Sequence, residues 1–400
     1  MHSSRLPADG CQWINDPERL RDYCRELRTA GEFGFDTEFI GERTYFPNLC
    51  LLQLCGAGRV VLVDPLVVKD LDPLGELISD PAVTKICHAG SQDIAILNRC
   101  GYPPANVLDT QLLAGLAGLV YPISYARAAE FCCGVRLDKA HTYSAWDRRP
   151  LLPSQVQYAA DDVRYLSAIF HFLDQRLAAR GQRQWIRELC DNEAALAVTT
   201  PDPQTLWQKI KVPRSLSRKQ LGVLRELAAW RNQVAYEHNL PMRTFLSDSA
   251  LRDIAKLMPR NVSQLSRIEG IARQELQTYG AHIVEITNRV ERMLAEQLPP
   301  ILSEPADTLA FNRYTERVWA AAQAICLGQN VCTSLVTSQA SIAEWAALKL
   351  EGQSTSSHEL MQGWHYECLG RLLEEFTDGR TEMVLVMQDG EIQMSLKPGI

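Results

Sequence analysis

Apolar residues recur with two different periods along this chain, and the change from one to the other organises it. Between residues 32 and 89 the runs EFGFDTEF, CLLQLC, RVVLVD and VTKICHA are short, rich in β-formers and set between polar or turn residues. Each therefore reads as a strand. The segment before them, DPERLRDYCRELRTA, has helical spacing with an aspartate near its start. Three strands in close succession and a fourth reached across a helix predict a mixed sheet with helices packed on it. From about Ser154 the period becomes helical.

Two stretches interrupt that helical pattern. TTPDPQ at 199–204 and QLPPILSEPAD at 297–307 bring prolines together with acids and carry no period, which marks them as linkers. They predict three domains, at 1–200, 214–293 and 305–400. The later two contain related segments, LSDSALRDIAKL from Leu246 and LVTSQASIAEWAAL from Leu335, each followed by a glycine-containing turn (IEGIAR, MQGWHY). A repeated helical module is the reading. At the C-terminal end EMVLVMQDGEIQMSL alternates about an Asp-Gly pair and predicts a β-hairpin.

Composition narrows the class. An apolar fraction of 46% and a charged fraction of 22% are those of a soluble globular protein, and 400 residues suffice for two or three cores. No apolar run approaches the roughly 18 residues of a membrane helix. The start MHSSRLPADGCQW lacks the apolar centre of a signal peptide, so a cytoplasmic protein without membrane association is expected. Twelve cysteines in spacings that match no CxxC pair read as buried reduced thiols. A net charge of −7 argues against non-specific coating of nucleic acid and leaves room for a local basic patch.

The candidate chemistry begins with GFDTEF at 34–39, where two acids interrupt an otherwise buried strand. Residues two apart on a strand share a face about 6.6 Å apart, so Asp36 and Glu38 project together. Side by side they repel, and a cation makes the arrangement favourable. Asp93, in CHAGSQDIAIL, lies in the first turn of a helix that follows a strand ending near His88. By itself it is accounted for as an acid at a helix N-terminus. In QYAADDVRYL, Tyr158 and Asp162 are four apart and share a helix face, with Asp161 turned about 100° away.

Taken with the surrounding stretches FDTEFIGERTYFPNLCLLQL, HAGSQDIAIL, VLDTQLLAG, LDKAHTYSAWDRRPL and QYAADDVRYL, these acids resemble, in order and spacing, the three exonuclease motifs of the DEDD family. The likeness is to its tyrosine-containing branch, and within that branch to the ribonuclease D family, over about residues 30–170. It implies an α/β ribonuclease H-like exonuclease domain, a mixed sheet flanked by helices. Carried over residue by residue, the family's metal-binding acids fall on Asp36, Glu38, Asp93 and Asp162, and its tyrosine on Tyr158. The implied cofactors are two divalent cations, Mg²⁺ or Mn²⁺. The implied partner is RNA with a single-stranded 3′ end, transfer-RNA precursors foremost, attacked by a monomeric 3′→5′ exonuclease that releases nucleoside 5′-monophosphates.

The residue types suit that chemistry. Hard divalent ions take oxygen ligands, and a pair of ions can hold both the attacking and the leaving oxygen at phosphorus. A phenol titrates near roughly 10, so Tyr158 is expected to orient the attacking water. His88 serves equally well as a structural histidine beneath the site or as a substrate contact. Lys139, Trp146 and Arg149 match family positions near the mouth of the site, where cations meet phosphate and an aromatic stacks a base; a packed tryptophan with solvated charges fits equally. Phe39 or Tyr45 could wedge a terminal base or pack in the core.

From Leu216 the sequence resembles the helicase-and-RNase-D C-terminal (HRDC) domain, chiefly in AWRNQVAYEHNLPMRTFLSDSALRDIA and LSRIEGI. That likeness implies an all-α helical bundle, and residues 308–375 look like a second, more divergent HRDC copy that completes a clamp. Lys209, Lys211, Arg214, Arg218 and Lys219 form a basic cluster, either a phosphate contact or a charged linker. Two other functions fit parts of the pattern: a DNA-trimming exonuclease of the same fold, and a catalytically silent RNA-binding scaffold. The presence of all four acids and the tyrosine favours an enzyme.

Overall fold

The computed structural model describes residues 10–137, 145–211, 215–300, 309–388 and 391–399. By their packing these form two compact units, one of residues 1–38, 49–198 and 307–400, the other of residues 39–48 and 199–306.

The first unit is built on a six-stranded sheet. Its strands are β1 (Gln12–Ile14), β2 (Glu32–Ile40), β3 (Asn48–Gly56), β4 (Arg59–Val63), β5 (Thr84–Cys87) and β6 (Val107–Asp109), arranged in the order β1-β4-β3-β2-β5-β6. β2, β5 and β6 run parallel, β4 lies antiparallel to β3, and β1 returns parallel to β4. The sheet is therefore mixed, as the alternation in the sequence predicts. Edge strands β1 and β6 span three residues each, too short for a period to show.

Helix α1 (Pro17–Ala30) starts where the Asp16 carboxylate accepts the N–H groups of Glu18 (2.7 Å) and Arg19 (3.2 Å). It ends at Gly31, whose φ of 77° suits a residue without Cβ. Its buried stripe, Leu20, Tyr23 and Leu27, packs with Phe33, Phe35, Leu52 and Leu54 on one face of the sheet. After α2 (Asp72–Ile78), α3 (Ser91–Arg99) and α4 (Thr110–Leu116) follow β5 and β6. The other face takes α4 with α5 (Tyr125–Cys133), α6 (Pro153–Arg164), α7 (Leu166–Ala179) and α8 (Gln184–Val198). Close approach matters at Gly34 on β2, where a Cβ would stand 3.0 Å from Leu166 of α7.

The last hundred residues extend that second core. Helices Leu309–Gly328, Gln339–Leu350 and Arg371–Thr377 contribute Ile325, Trp345 and Leu373, and the helical turns Gly363–His365 and Tyr366–Gly370 contribute Trp364 and Leu369, to the cluster that holds Leu113, Ile169 and Leu189. Polar ties reinforce the seam: Trp185 Nε1 donates to Glu367 (2.8 Å), Trp364 N to Glu188 (3.0 Å) and Cys332 N to Gly115 O (2.8 Å). Strands Thr381–Gln388 and Glu391–Pro398 pair antiparallel as the expected hairpin.

The second unit has its own core, centred on Trp207, Leu224, Leu227, Leu251, Ile254, Leu265 and Ile283. Its main helices are Arg218–Glu237, Asp248–Leu257 and Arg273–Glu291. Tyr45 belongs here: it packs edge to face against Phe46 and Tyr236 and hydrogen-bonds Asn232 at 2.9 Å, so packing accounts for it. Part of the expected basic cluster is spent internally, because Arg218 donates to the carbonyls of Ala295, Leu298 and Pro299 and Lys219 to that of Glu291. Arg214 lies outside the described residues.

The segments that read as repeats share local structure. In each, a 20-residue helix is followed by a four-residue helix and then a helix capped by a serine, Ser247 or Ser338. Among the described residues no helix is long and apolar enough to cross a membrane.

The distribution of cores sets an expectation for fragments. A chain of residues 199–300 should melt cooperatively by circular dichroism. A chain ending at residue 300, which lacks the tryptophans and leucines that close the first unit's core, should lose more than about 10 °C in melting temperature, since each large buried side chain is worth about 2–5 kcal/mol.

Candidate active site

Three carboxylates converge where β2 passes beneath α6. The ligand oxygens of Asp36, Glu38 and Asp162 all lie within 4.8 Å of one another. Asp36 and Glu38 reach this point because they alternate with Phe35, whose ring goes into the α1-side core. Asp162 arrives from the last turn of α6, and Tyr158, one turn earlier on the same face, hydrogen-bonds it. Asp161, turned away, accepts from Arg164 (3.0 Å) and Gln157 (2.8 Å) instead.

Asp93 stands beside this trio without belonging to it. It is buried in the first turn of α3 and accepts a hydrogen bond from Thr37, the residue between the two β2 acids. Its charge still acts on them. Burial first, then the fields of Asp93, Asp162 and Glu38, push Asp36 well above the usual carboxylate range. Glu38 is raised to about 9 by burial and by Asp162 and Asp93. Burial lifts Asp162 to about 7 and Asp93 to about 6, each against a lowering hydrogen bond, from Tyr158 and Thr37 respectively. A cluster whose members resist ionising together is a site for a cation, and a donor set made only of carboxylate oxygens suits a hard divalent one.

The turn that delivers Asp93 is secured by a residue that the sequence pattern passed over. Ala89 has a φ of 57°, a conformation L side chains rarely adopt. The Asp109 carboxylate holds it there, accepting from Ala89 N and Gly90 N at 2.9 Å each. Asp109 also caps α4 through Gln111 N (2.8 Å). The VLDTQLLAG stretch carried that aspartate in plain view, but its partners are about 20 residues away and only the fold joins them.

The remaining expected site residues divide. His88 lines a cavity of about 170 Å³ with Phe35, Asp36, Tyr125, Tyr158, Asp162 and Leu166. Both of its ring nitrogens are occupied within the protein, Nδ1 by Thr110 Oγ1 and Nε2 by the Ile123 carbonyl, each at 2.9 Å. Burial lowers its pKa, so it faces the cavity as a fixed ring. Trp146 is 2% exposed and lies 6.2 Å from the Tyr158 ring, packed behind the tyrosine. All five N–H groups of Arg149 are committed: to both Asp64 oxygens (2.5 and 2.8 Å) and to the carbonyls of Trp146, Arg148 and Cys50. A guanidinium so engaged anchors the loop that carries Trp146 onto the sheet. Lys139 lies outside the described residues.

Comparison with known proteins agrees with this geometry. Residues 11–178 match the family model described as 3′-5′ exonuclease, and residues 220–287 match the HRDC domain. The ribonuclease D of Gluconacetobacter diazotrophicus is 40% identical over 65% of this chain and 66% of its own length. That of Cronobacter turicensis is 30% identical over 90% of this chain and 98% of its own. Among solved structures, Escherichia coli RNase D, described as an exoribonuclease involved in structured RNA processing, superposes with a TM-score of 0.80 at 27% identity. That match covers 92% of this chain and 99% of the other. With the acids on one strand and one helix, the supporting tyrosine and this extent of likeness, the chain belongs to the ribonuclease D family of metal-dependent 3′→5′ exoribonucleases.

Proposed function

We propose that this protein trims the single-stranded 3′ ends of structured RNAs, transfer-RNA precursors foremost, releasing nucleoside 5′-monophosphates one at a time as a monomer in the cytoplasm. The observation that carries the reading is the convergence of three carboxylates within 4.8 Å beside Asp93 and Tyr158. The relative described as acting in structured RNA processing supports the substrate class.

In this reading Asp36, Glu38 and Asp162 hold one divalent ion, Mg²⁺ or Mn²⁺, and Asp36 with Asp93 a second, Asp93 acting largely through water. When bound, such ions acidify water and stabilise charge on the leaving 3′-oxygen. The protein's own residues supply the rest. Thr37 keeps Asp93 from swinging toward the trio, and Asp109 fixes the turn that places it. Tyr158 stays protonated, because burial and then the charges of Asp162, Glu38 and Asp36 raise its pKa, so it serves as a hydrogen-bond donor and not as a base. Trp146 holds the tyrosine ring from behind.

The domain partition into 1–200, 214–293 and 305–400, with the last as a second HRDC-like copy that shares its core with the first segment, belongs to the same proposal. Its support is the shared succession of a long helix, a four-residue helix and a serine-capped helix.

A transfer-RNA-like substrate with a 3′ tail and a 5′ label tests the activity. Wild-type protein with Mg²⁺ or Mn²⁺ should shorten it stepwise, EDTA should stop this, and Asp36→Ala should leave less than about one thousandth of the rate. Intact RNA under every condition, with binding retained, favours the scaffold function; equal trimming of a matched DNA tail favours the DNA exonuclease. Tyr158→Phe should lower single-turnover hydrolysis by about 10²-fold or more without weakening RNA binding, and an unchanged rate removes the tyrosine from the mechanism.

The raised carboxylates also make stability depend on pH. Their folded pKa values exceed the roughly 4 of an unfolded acid, so the folded state binds more protons. The cluster therefore costs nothing below about pH 4 and costs progressively more as pH rises toward 9. In metal-free protein at about pH 8, Asp36→Asn should raise the melting temperature by about 2 °C or more, with the gain vanishing near pH 4. Mn²⁺ should stabilise the wild type more at the higher pH and the variant little at either. A variant that melts below the wild type at about pH 8 contradicts this account.

A further inference from the structure

Two helices begin at the active-site cavity and carry an exposed aromatic and cationic patch away from it. Tyr125, the first residue of α5, and Leu166, the first of α7, both line the cavity. The helices pack against each other. Six residues further along each, about 9 Å down the axis, stand Phe131 and Phe172. Their rings meet edge to face with centroids 5.9 Å apart.

Cations complete the patch. The Arg176 guanidinium, one turn beyond Phe172, lies 5.6 Å from the centroid of each ring. Arg127, one turn before Phe131, shares its helix face. Phe131 is 48% exposed, whereas its helix packs on the core through Tyr125, Ala128, Ala129, Cys132 and Cys133, so the Phe131 ring is not part of the core. The nearest acids on these helices already have partners, Glu130 in Arg136 and Asp174 in Arg183, both at 2.8 Å. Among the described residues no acid pairs with Arg127 or Arg176. Two guanidinium groups that no described acid pairs, beside an exposed ring, match a polyanion that carries flat bases.

We propose that this patch binds the single strand a few nucleotides upstream of the scissile bond, one base stacking on Phe131 while Arg127 and Arg176 take the flanking phosphates. The proposal rests on the exoribonuclease reading and deepens it by giving the strand a second hold outside the catalytic cavity. Neither aromatic touches the reacting phosphate, so the patch governs capture and not the chemical step.

The test compares wild type, Phe131→Ala, Phe131→Trp and Arg176→Ala on a single-stranded RNA of about ten nucleotides and on a dinucleotide too short to reach the patch. Binding of the longer RNA is followed in parallel by fluorescence anisotropy in EDTA. Phe131→Ala should raise KM and Kd for the longer RNA about five-fold or more, with kcat and dinucleotide hydrolysis unchanged. Phe131→Trp should restore wild-type affinity, and Arg176→Ala should reduce the slope of log Kd against log salt by about 1. Unchanged affinity for the longer RNA overturns the proposal. An equal loss on both RNAs overturns it too, since it marks a structural role. A wild type that binds but cuts neither RNA overturns the exonuclease reading, while the anisotropy series still decides the patch.

Discussion

The mutual repulsion of acids held in a half-buried pocket is the constraint on which the rest of this structure depends. Asp36, Glu38 and Asp162 are kept closer than isolated carboxylates would stay, with Asp93 adding its field. Left free, these side chains would turn to solvent, and the strain is sustained because the surrounding scaffold fixes each one from behind. Phe35 pins β2 from the opposite face, Thr37 restrains Asp93, and Tyr158 holds Asp162. Stability lost at the site is offset by the two cores that sandwich the sheet.

The same logic explains the less obvious polar residues. Asp109 holds an alanine in a left-handed conformation so that α3 begins at the right height. Arg149 spends a full guanidinium on Asp64 and three carbonyls to seat the loop that backs Tyr158. His88, with both nitrogens bonded, gives the cavity a wall of fixed shape. Each of these groups faces the site or lies next to it, yet each acts on geometry. The last block works in this way at longer range, because its tryptophans close the core against which α4, α7 and α8 are set.

Much of this was legible in the sequence, and the reasons are specific. Strands β2 to β5 were readable because runs of Val, Leu, Phe and Cys alternate or cluster over four to nine residues. Helix α1 was readable from Asp16, Pro17 and a stripe at helical spacing. The acids of the site were readable because strand and helix periods are short: i,i+2 puts Asp36 beside Glu38, and i,i+4 puts Tyr158 beside Asp162. Strands β1 and β6 were not, since three residues contain no period. Nor were the distant partners of Arg149 (Asp64, Cys50) and His88 (Thr110, Ile123), 22 to 99 residues away, which settle the choice between phosphate, base and internal acceptor.

The sequence by itself thus determined the identity and local pairing of the acids, the helical character of the second half and the terminal hairpin, because those follow from periodicities that span only a few residues. Tertiary structure alone decided that Asp162 closes on Asp36 and Glu38 while Asp93 stands apart, bonded to Thr37. It also decided that residues 307–400 share the first unit's core, that Arg149 is an anchor, and that Phe131 and Arg176 meet on one surface. Each of these joins residues far apart in the chain. Their proximity is set by how helices pack on a sheet, through burial of apolar surface that carries no directional signal along the sequence.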